Sequence, residues 1–459
     1  MASVPAAHIA QICDRVKEAR RWNRNRISET IWREAAQLQT RIINATVEFR
    51  HQPFVRPLRI SSGPITEITE ARAEVTVSVN GREATGRGSI YLSDTWAWPD
   101  PSLSHDHRDA VLRELCERIA VNLWELCGGE PEHPLELGLR LHRSVCHELK
   151  SPCPSLLARA MCASPFDAAI HDAAGIALDR SAFGFYDEPA PIPSGDRLFA
   201  GRSACAAIRK MLRPPVREFD AWLIVSKDDS FADDVEPWVR ERGYRCFKVK
   251  ILGQDTEADV VRTCDTFGAT LGMGARDPRI TVDSNEANPS ASSVYHYLER
   301  LKVAREDAFA ALEYLEQPTG RDIRLHRNNW RMVTNMKPVM LDEGLTDFDV
   351  LDEALAQGWS GLALKTCKGH SFALTAAAWA VEHGMILSLQ DLTNPGLSMI
   401  HAALFAAHVP TINGVELNSP QYTPAANEEW LPRLSGLFEP RDGMHRLPKQ
   451  IPVGLGSVL

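Results

Sequence analysis

The chain has 459 residues, of which 44% are hydrophobic and 24% charged, a composition typical of globular proteins and unlike that of disordered or coiled-coil chains. Its 51 basic and 60 acidic residues give a net charge of -9, which argues against nucleic acid or an anionic membrane as partner and favours a small molecule. No apolar run approaches the roughly 18 residues of a membrane helix, and the first residues do not resemble a secretory signal. We therefore expect a cytoplasmic protein.

Residues 1–44 are predicted to form a helical N-terminal arm, because apolar side chains recur there at helical spacing. The stripe consists of Ile27, Ile31, Ala35, Leu38 and Ile42. Beyond the arm, the runs ATVEFR and EVTVSVNG alternate apolar and polar residues as strands do, and helical patterns follow. Strands followed by helices indicate an α+β domain, which we place at residues 45–190.

Residues 191–435 begin with a helical insert, after which eight short apolar runs alternate with helical segments. The runs are AWLIVS, CFKVK, RITVDSN, EYLEQP, PVMLDEG, LALKTCKG, MILSLQD and GVELN. Their polar ends recur at intervals of roughly 23–33 residues, the length of one strand–helix unit, and eight such units close into a TIM barrel of about 250 residues. The predicted fold class is therefore α/β, with a TIM-type (β/α) barrel. The tail, residues 436–459, is expected to return to the α+β domain.

Three carboxylates, Asp283, Glu316 and Asp342, end consecutive predicted strands. The carboxyl ends of barrel strands converge on one mouth, where these groups repel each other unless a hard cation neutralises them. Mg²⁺ takes oxygen ligands, whereas zinc recruits His or Cys. A single strand-end carboxylate is more often a helix cap or a loop salt bridge, but three in succession favour a Mg²⁺ site.

Two lysines, Lys248 and Lys250, are two residues apart on one predicted strand, so both project from the same face. Neighbouring ammonium groups lower each other's pKa, which lets a lysine serve as general base at neutral pH. Lys365 ends the sixth predicted strand, across the mouth from the second. The alternative, a solvated strand edge, would turn these lysines toward the apolar helix layer at greater cost.

The motifs KVK, VDSN, EYLEQP, LDEG and LKTCKG, in this order and at these intervals, resemble the enolase superfamily, in particular its mandelate racemase and muconate lactonizing enzyme branch. The resemblance covers residues from about 45 to 459. It implies a modified, enolase-like barrel with an α+β capping domain whose loops cover the barrel mouth. It also implies the metal ligands Asp283, Glu316 and Asp342, although some relatives use the position of Glu343.

In the same resemblance, Lys250 is the base on one face of the substrate, Lys365 is the acid or base on the other, and Lys248 tunes Lys250. Mg²⁺ polarises a substrate carboxylate, and a lysine removes the proton on the adjacent carbon to give an enediolate. We predict a racemase, epimerase or cycloisomerase acting on a small-molecule carboxylate, and we expect a homo-oligomer. The alternatives are an acid-sugar dehydratase, in which Asp391 or His370 assists loss of hydroxide, and a non-catalytic metal-binding barrel.

The sequence departs from the resembled pattern after the sixth strand, where Lys368-Gly369-His370 replaces the usual Gly-Gly. Lys368 and His370 either contact a second acidic group of the substrate or face solvent. In the cap loop, Arg56 and Arg59 either bind a distal substrate carboxylate or form surface salt bridges. Further candidates to line the site are Asn285, Asp391, Glu416 and Asn418.

Overall fold

The computed structural model describes residues 38–459, so the predicted N-terminal arm up to residue 37 lies outside the described residues. The predicted helical stripe does not extend to Ile42, which lies in a strand that begins at Thr40. Ile42 pairs with Val77 of the next strand and is buried in the hydrophobic core. Sheet pairing therefore overrides the helical spacing at this end of the arm.

The first domain contains a three-stranded antiparallel sheet. Its strands are β1 (Thr40–Ile60), β2 (Gly63–Val79) and β3 (Arg82–Tyr91), paired in that order. Asn80 and Gly81 join β2 to β3 with positive φ angles of 54° and 74°, as a tight hairpin turn requires. The helices that follow are α1 (Asp94–Ala97), α2 (His105–Val121), α3 (Leu123–Leu126), α4 (Pro134–Arg143) and α5 (Leu156–Leu178).

Helix α5 packs on this sheet at close range. A Cβ atom on Gly86 would lie 2.1 Å from the backbone nitrogen of Ala173, and one on Gly88 would lie 2.1 Å from the carbonyl oxygen of Pro165. Only glycine allows this approach at these two positions of β3. The close packing holds the end of β3, and with it α1, in the layer that covers the second domain.

The second domain is built on a curled parallel sheet of seven strands, which corresponds to the first seven of the eight predicted runs. In sheet order these are β5 (Trp222–Val225), β6 (Cys246–Lys250), β7 (Arg279–Asp283), β8 (Leu312–Glu316), β9 (Val339–Leu341), β10 (Gly361–Leu364) and β11 (Ile386–Leu389). A modified TIM-type barrel with an α+β capping domain is thus confirmed.

The prediction that the eighth run, GVELN, forms a barrel strand is wrong. The run forms only an isolated β-bridge, between Glu416 and Gln390. On its other side it is joined to β5 through side chains. Asn418 Nδ2 donates to the carbonyl oxygen of Trp222 at 3.2 Å, and Trp222 Nε1 donates to that of Asn413 at 3.0 Å. Side-chain bonds therefore replace a backbone ladder where the barrel closes.

Helices connect and surround the parallel strands. They are α6 (Pro193–Asp196), α7 (Ala204–Met211), α8 (Glu236–Arg242), α9 (Thr256–Gly272), α10 (Ala291–Ala304), α11 (Glu306–Ala311), α12 (Arg331–Thr334), α13 (Leu351–Gln357), α14 (His370–Glu382), α15 (Gly396–His408), α16 (Ser419–Tyr422) and α17 (Ser435–Phe438). Within residues 38–459, no helix has the length and apolar character needed to cross a membrane.

The C-terminal tail contacts both domains. Its strand β12 (Met444–Arg446) pairs with β4 (Glu218–Asp220), just before the barrel. Farther on, the backbone nitrogen of Leu455 donates to Asp172 Oδ1 of α5 at 2.7 Å. The last residues of the tail therefore contact the first domain, where the tail was expected to return. The limits of the domains stay a prediction.

Candidate active site

Four side chains with predicted roles meet at the carboxyl ends of three neighbouring strands. Lys250, Asp283 and Glu316 are the last residues of β6, β7 and β8, and the parallel register pairs Lys250 with Asp283 and Asp283 with Glu316. Lys248 lies two residues before Lys250 and projects from the same face of β6. All four are buried. Strand register alone therefore brings two ammonium groups and two carboxylates to the same level of the barrel mouth.

The lysines of β6 bind these carboxylates directly. Lys250 Nζ lies 2.5 Å from Asp283 Oδ2 and 3.0 Å from Asn285 Oδ1. Lys248 Nζ lies 2.8 Å from Glu316 Oε2, 3.4 Å from Asp283 Oδ2 and 3.3 Å from Glu416 Oε2. Lys248 is thus shared among three carboxylates, whereas Lys250 is directed at one carboxylate and one amide.

Across the mouth, the residues after β10 form a second ion cluster. Lys365 Nζ lies 2.6 Å from Asp342 Oδ2, 3.7 Å from Glu316 Oε1 and 4.7 Å from the centre of the Trp96 ring. Lys368 Nζ donates to Asp342 twice, at 2.9 Å to Oδ1 and at 2.6 Å to the backbone carbonyl oxygen. Burial opposes the charge on Lys365, but Asp342 and Glu316 outweigh it and raise its pKa.

Carboxylates also keep Lys248 charged. Burial alone would lower the pKa of this lysine, but Glu316, Glu416 and Asp283 outweigh burial and raise it. The net shift of the Lys248 pKa is therefore opposite to the one expected from a neighbouring ammonium group alone. The reason is that its nitrogen lies within hydrogen-bond distance of carboxylate oxygens, whose attraction exceeds any repulsion between the lysines.

Five of the buried carboxyl groups divide into two sets. Burial opposes the charge on each of the five, but in Asp283 and Asp342 the attached lysines outweigh burial, and the pKa is lowered. In the other set burial prevails, and the pKa rises to about 8 in Glu316, about 7 in Glu343 and about 8 in Asp391. The site thus holds more buried carboxyl groups than its lysines can neutralise.

A count of charges gives the same result. Six carboxyl and four ammonium groups are buried around the mouth: Asp283, Glu316, Asp342, Glu343, Asp391 and Glu416, with Lys248, Lys250, Lys365 and Lys368. If all are ionised, the excess is two negative charges, which one divalent cation balances. In addition, Glu316 Oε1 and Glu343 Oε2 are buried and accept no hydrogen bond from residues 38–459. These oxygen donors suit Mg²⁺.

The carboxylates do not surround a common point as the side chains lie. Within the described residues, no three His, Cys, Asp or Glu side chains are arranged as a metal-binding group. Lysine nitrogens occupy the space between them, since Lys248 contacts both Asp283 and Glu316, and Lys365 lies between Glu316 and Asp342. The donor chemistry therefore fits a hard cation, on condition that the ammonium groups move aside.

The first domain covers this cluster with apolar side chains. Leu58, Ile60 and Ile65 of the β1–β2 hairpin, together with Ser93 and Trp96, line a cavity that also touches the lysines of β6 and Lys365. Its volume is ≈ 50 Å³, room for a water molecule or two and not for a substrate. A substrate therefore does not fit beneath the capping side chains as they lie in this structure.

The two cap arginines lie outside this cavity. Arg56 contacts Asp229 at 2.5 Å and Asp234 at 3.0 Å. Arg59 is about half exposed and lies 3.5 Å from Asp228. Of the two predicted alternatives for Arg56, the structure shows the salt bridge. Arg59 lines a second pocket of ≈ 420 Å³, which adjoins the cavity through Lys250.

Four further candidates surround the same cavity. Asn285 Nδ2 donates to Asp283 Oδ2 at 3.1 Å and to Glu343 Oε1 at 3.2 Å. The backbone nitrogen of Asp391 donates to the carbonyl oxygen of Glu416 at 3.0 Å, and Asp391 Oδ2 accepts from the backbone nitrogen of Asn418 at 3.2 Å. Asn285, Asp391, Glu416 and Asn418 thus line the same cavity as Lys248, Lys250 and Lys365.

His370 is not part of this constellation. It is buried at the start of α14, and its Nδ1 lies 2.9 Å from His401 Nε2. Its ring centre lies 4.5 Å from that of His171 on α5, so it packs between the two domains. Neither predicted alternative applies to His370, because it neither lines the cavity nor faces solvent. Lys368 does not face solvent either, since both of its contacts are with buried Asp342.

Some residues of the site were not predicted as candidates. Trp96 Nε1 donates to Glu343 Oε1 at 2.9 Å. Gln390 Nε2 donates to Glu316 Oε2, and Gln390 Oε1 accepts from Lys248 Nζ, so this amide bridges the two side chains. Both residues stand in segments that carried a signal, Trp96 in a predicted cap loop and Gln390 at the end of the seventh run. A side-chain amide at a strand end can both donate and accept, which suits a bridge between a lysine and a carboxylate.

Comparisons with known proteins agree with this fold. A family model described as "Enolase C-terminal domain-like" matches residues 230–459. Among solved structures, the chain is similar to muconate lactonizing enzyme from Pseudomonas fluorescens complexed with muconolactone (17% identity, TM-score 0.61, covering 91% of this chain and 96% of that one). It is also similar to dipeptide epimerase from Enterococcus faecalis complexed with Mg and a dipeptide (16%, 0.60, 91% and 99%).

A third similar structure is N-succinyl Arg/Lys racemase from Bacillus cereus (15% identity, TM-score 0.61, covering 91% of this chain and 95% of that one). At these identities the likeness concerns the fold. Among curated proteins, no sequence matches the chain.

Proposed function

The chain belongs to the mandelate racemase and muconate lactonizing enzyme branch of the enolase superfamily of enzymes, and from this membership we propose that it is a Mg²⁺-dependent racemase, epimerase or cycloisomerase. It would remove the proton next to the carboxylate of a small-molecule substrate. Similar structures contain muconolactone or a dipeptide, which supports this range of reactions without selecting one.

The observation that carries the proposal is the placement of two lysines around one cavity. Lys250 ends β6 and Lys365 follows β10, four strands farther along the curled sheet, and both line the same cavity beside the carboxylates. A substrate held there would have one lysine on each face of its reacting carbon. That arrangement suits removal of a proton from one face and delivery to the other.

The metal site would include Asp283 and Glu316, with a third carboxylate from residues 342 and 343. When bound, Mg²⁺ supplies positive charge beside the substrate carboxylate, which lowers the cost of the negative charge that develops there. Lys365 holds its proton at Nζ in its present contacts, which is the state of a general acid. Lys248 fixes Glu316 and Asp283, and the apolar cap side chains exclude water, which strengthens these electrostatic interactions.

The proposal is tested by isotope exchange. The protein with Mg²⁺ in D₂O is offered N-acyl amino acids, dipeptides and acid sugars, and deuterium at the α-carbon is measured by mass spectrometry. We expect incorporation into at least one class, and loss of turnover in Lys250→Ala and Lys365→Ala. For a racemase, each variant should still exchange the proton of one enantiomer. Exchange of both enantiomers at the native rate in both variants would exclude these lysines as the bases.

Dehydration of an acid sugar is a second candidate, favoured by one observation. Asp391 lines the cavity, and burial raises its pKa to about 8, so it is largely protonated at neutral pH. A protonated carboxyl group is suited to donate a proton to a departing hydroxide. A keto-acid product in the same screen, lost in Asp391→Asn, would support dehydration over racemisation. His370 no longer supports this candidate, because it does not line the cavity.

A further inference from the structure

We infer that strand β1 is an interface with a second copy of this chain, paired through residues 45–53 in an antiparallel register centred on Phe49. Strand β1 lies at one edge of the three-stranded sheet, because the order of the strands is β1–β2–β3. An edge strand presents unpaired backbone N–H and C=O groups to any chain that can pair with it. Such an interface would exist whatever reaction the barrel catalyses.

The free edge of β1 consists of the backbone groups of alternate residues from Ala45 to Pro53. In the register of the sheet His51 pairs with Thr69 of β2, but the carbonyl oxygen of Thr69 accepts from the backbone nitrogen of Leu92, on the β3 side, at 2.8 Å. Successive residues of a strand direct their backbone groups to opposite sides, so His51 and its alternate neighbours face away from β2. Within residues 38–459, no backbone hydrogen bond joins this edge to another element.

The free edge has a defined end on each side. At its start, the backbone of Thr40 exchanges hydrogen bonds with that of Glu132, at 2.9 and 3.3 Å, and an irregularity of the register precedes Asn44. At its other end, Pro53 has no backbone N–H, and the register with β2 shifts after it. The outward-facing residues between these ends are Ala45, Val47, Phe49, His51 and Pro53, with Phe49 in the middle.

The charges of this edge are self-complementary about Phe49. Two identical strands that pair in antiparallel fashion are related by a twofold axis, so with Phe49 opposite itself, Glu48 faces Arg50 of the partner subunit, twice in each dimer. The backbone groups of these two residues point to β2, and facing side chains are closest in such non-hydrogen-bonded pairs. In the registers centred two residues earlier or later, Glu48 would instead face Thr46 or Phe54.

Apolar side chains of the same strand remain open to solvent. Ala45, Val47 and Phe49 pack against the hydrophobic core but are only partly buried. Ile43 is 48% and Val55 66% exposed, and these two residues stand at equal distances in sequence before and after Phe49. In the register centred on Phe49, Ile43 would therefore lie near Val55 of the partner subunit. A second strand would cover both sets of apolar side chains, which favours association.

The two charged side chains are free to select a second copy. Glu48 and Arg50 contact each other along β1, at 3.0 Å, and both are about half exposed. Each can turn toward an opposing strand at little cost, because an exposed ion pair contributes little. An unrelated extended segment would meet the same backbone groups but not this order of charges. Paired copies would join two capping domains in one continuous sheet, below the hairpin tip that carries Leu58 and Ile60 over the cavity.

The test measures the assembly of the full-length protein by analytical ultracentrifugation and native mass spectrometry. The native protein should form a dimer or a larger even assembly. Glu48→Arg places arginines opposite each other in both halves of the interface, and Arg50→Glu does the same with glutamates, so each variant should weaken association at least about tenfold. The matched control is Glu74→Arg, which breaks an exposed ion pair on the central strand β2 and should assemble as the native protein does. Circular dichroism establishes that each variant is folded.

Mixing the two single variants tests the register itself. Every arginine of the Glu48→Arg chain would then face a glutamate of the Arg50→Glu chain, so the mixture should form dimers with one copy of each, although neither variant pairs with itself. Repulsion within one chain cannot produce this result. The Glu48→Arg/Arg50→Glu double variant should again associate as the native protein does. A monomeric native protein, unchanged assembly of both single variants, or the absence of mixed dimers would each overturn the interface.

Discussion

Lys368 and His370 are two residues apart after β10, yet they enter two different buried clusters. Lys368 joins the lysines and carboxylates of the barrel mouth, where opposite charges outweigh burial. His370 joins His171, His401 and His408 between the domains, where burial, reinforced by neighbouring imidazoles, lowers its pKa well below the ordinary value. In the first cluster the attached groups of opposite charge outweigh burial for Lys248, Lys365, Asp283 and Asp342, whereas in the second burial favours the neutral form of His370.

The difference shows what separates a reactive cluster from a structural one. At the mouth, each ammonium group has a carboxylate partner, and surplus carboxyl groups remain that a cation or a proton must satisfy. Between the domains, the imidazoles stack on aromatic rings, as His408 does on Phe183 with ring centres 4.2 Å apart. Asp167 raises the pKa of His401, but this does not outweigh burial. His370, His401 and His408, whose pKa values burial lowers, therefore pack as part of the buried core between the domains.

The largest expected effect is the loss of kcat when a lysine of the first cluster is replaced, compared with a replacement in the second cluster. Lys250→Ala and Lys365→Ala should each lower kcat by about 10²–10⁴-fold, the usual contribution of a general acid or base. His370→Asn should change kcat by less than threefold, because its side chain does not reach the cavity. Steady-state kinetics on the substrate found by isotope exchange would compare them. A loss in His370→Asn as large as in the lysine variants would contradict the division into two clusters.

Metal binding should stabilise the first cluster and leave the second unaffected. At a Mg²⁺ concentration a hundred times its dissociation constant, the free energy of unfolding should rise by about 2.7 kcal/mol. Glu316→Gln should abolish this rise and the activity, while His370→Asn should keep both. Thermal unfolding with Mg²⁺ and with chelator measures the effect. Equal activity before and after chelation would exclude the metal role.

The sequence predicted the first cluster better than the second for a physical reason. Strand ends of a parallel sheet converge, so Lys248, Lys250, Asp283 and Glu316 could be placed from their spacing alone, and their register bears this out. Spacing carries no information on the direction of a side chain in a loop, and so Lys368 and His370 received the same two interpretations. Their separation depends on how α5 packs against α14, which is a tertiary contact.

The pH dependence of stability should differ between the clusters. For His401, burial lowers the pKa from 6.5 to about 4, so the unfolded chain binds the proton more readily, and stability falls as pH decreases from about 6.5 to 4. The full effect is about 3 kcal/mol at most. Glu316, with a pKa raised to about 8, gives the opposite slope between pH 4.5 and 8 without metal.

His401→Gln removes the titrating group and keeps a side-chain amide near the position of Nε2. The free energy of unfolding of the native protein and of this variant, measured in urea from pH 4 to 7.5 with chelator present, should converge toward pH 4. The slope from Glu316 is common to both proteins and cancels in the difference. A constant difference across this range would show that His401 does not titrate on unfolding.

The smallest expected effect concerns the cap arginines, of which one is mostly buried and the other is about half exposed. Arg56 contacts two carboxylates and is mostly buried, whereas Arg59 makes one contact of 3.5 Å and is about half exposed. Exposed ion pairs contribute about 0.2–1 kcal/mol, so Arg59→Met should hardly change the free energy of unfolding, while Arg56→Met leaves Asp229 unpaired and costs more.

Arg59 nevertheless lines the pocket that adjoins Lys250. If a distal substrate carboxylate lies there, Arg59→Met should raise KM and leave kcat and the proton exchange of a minimal substrate unchanged. An unchanged KM would assign both arginines to the structure of the cap, and recognition would then depend on the apolar side chains of the β1–β2 hairpin.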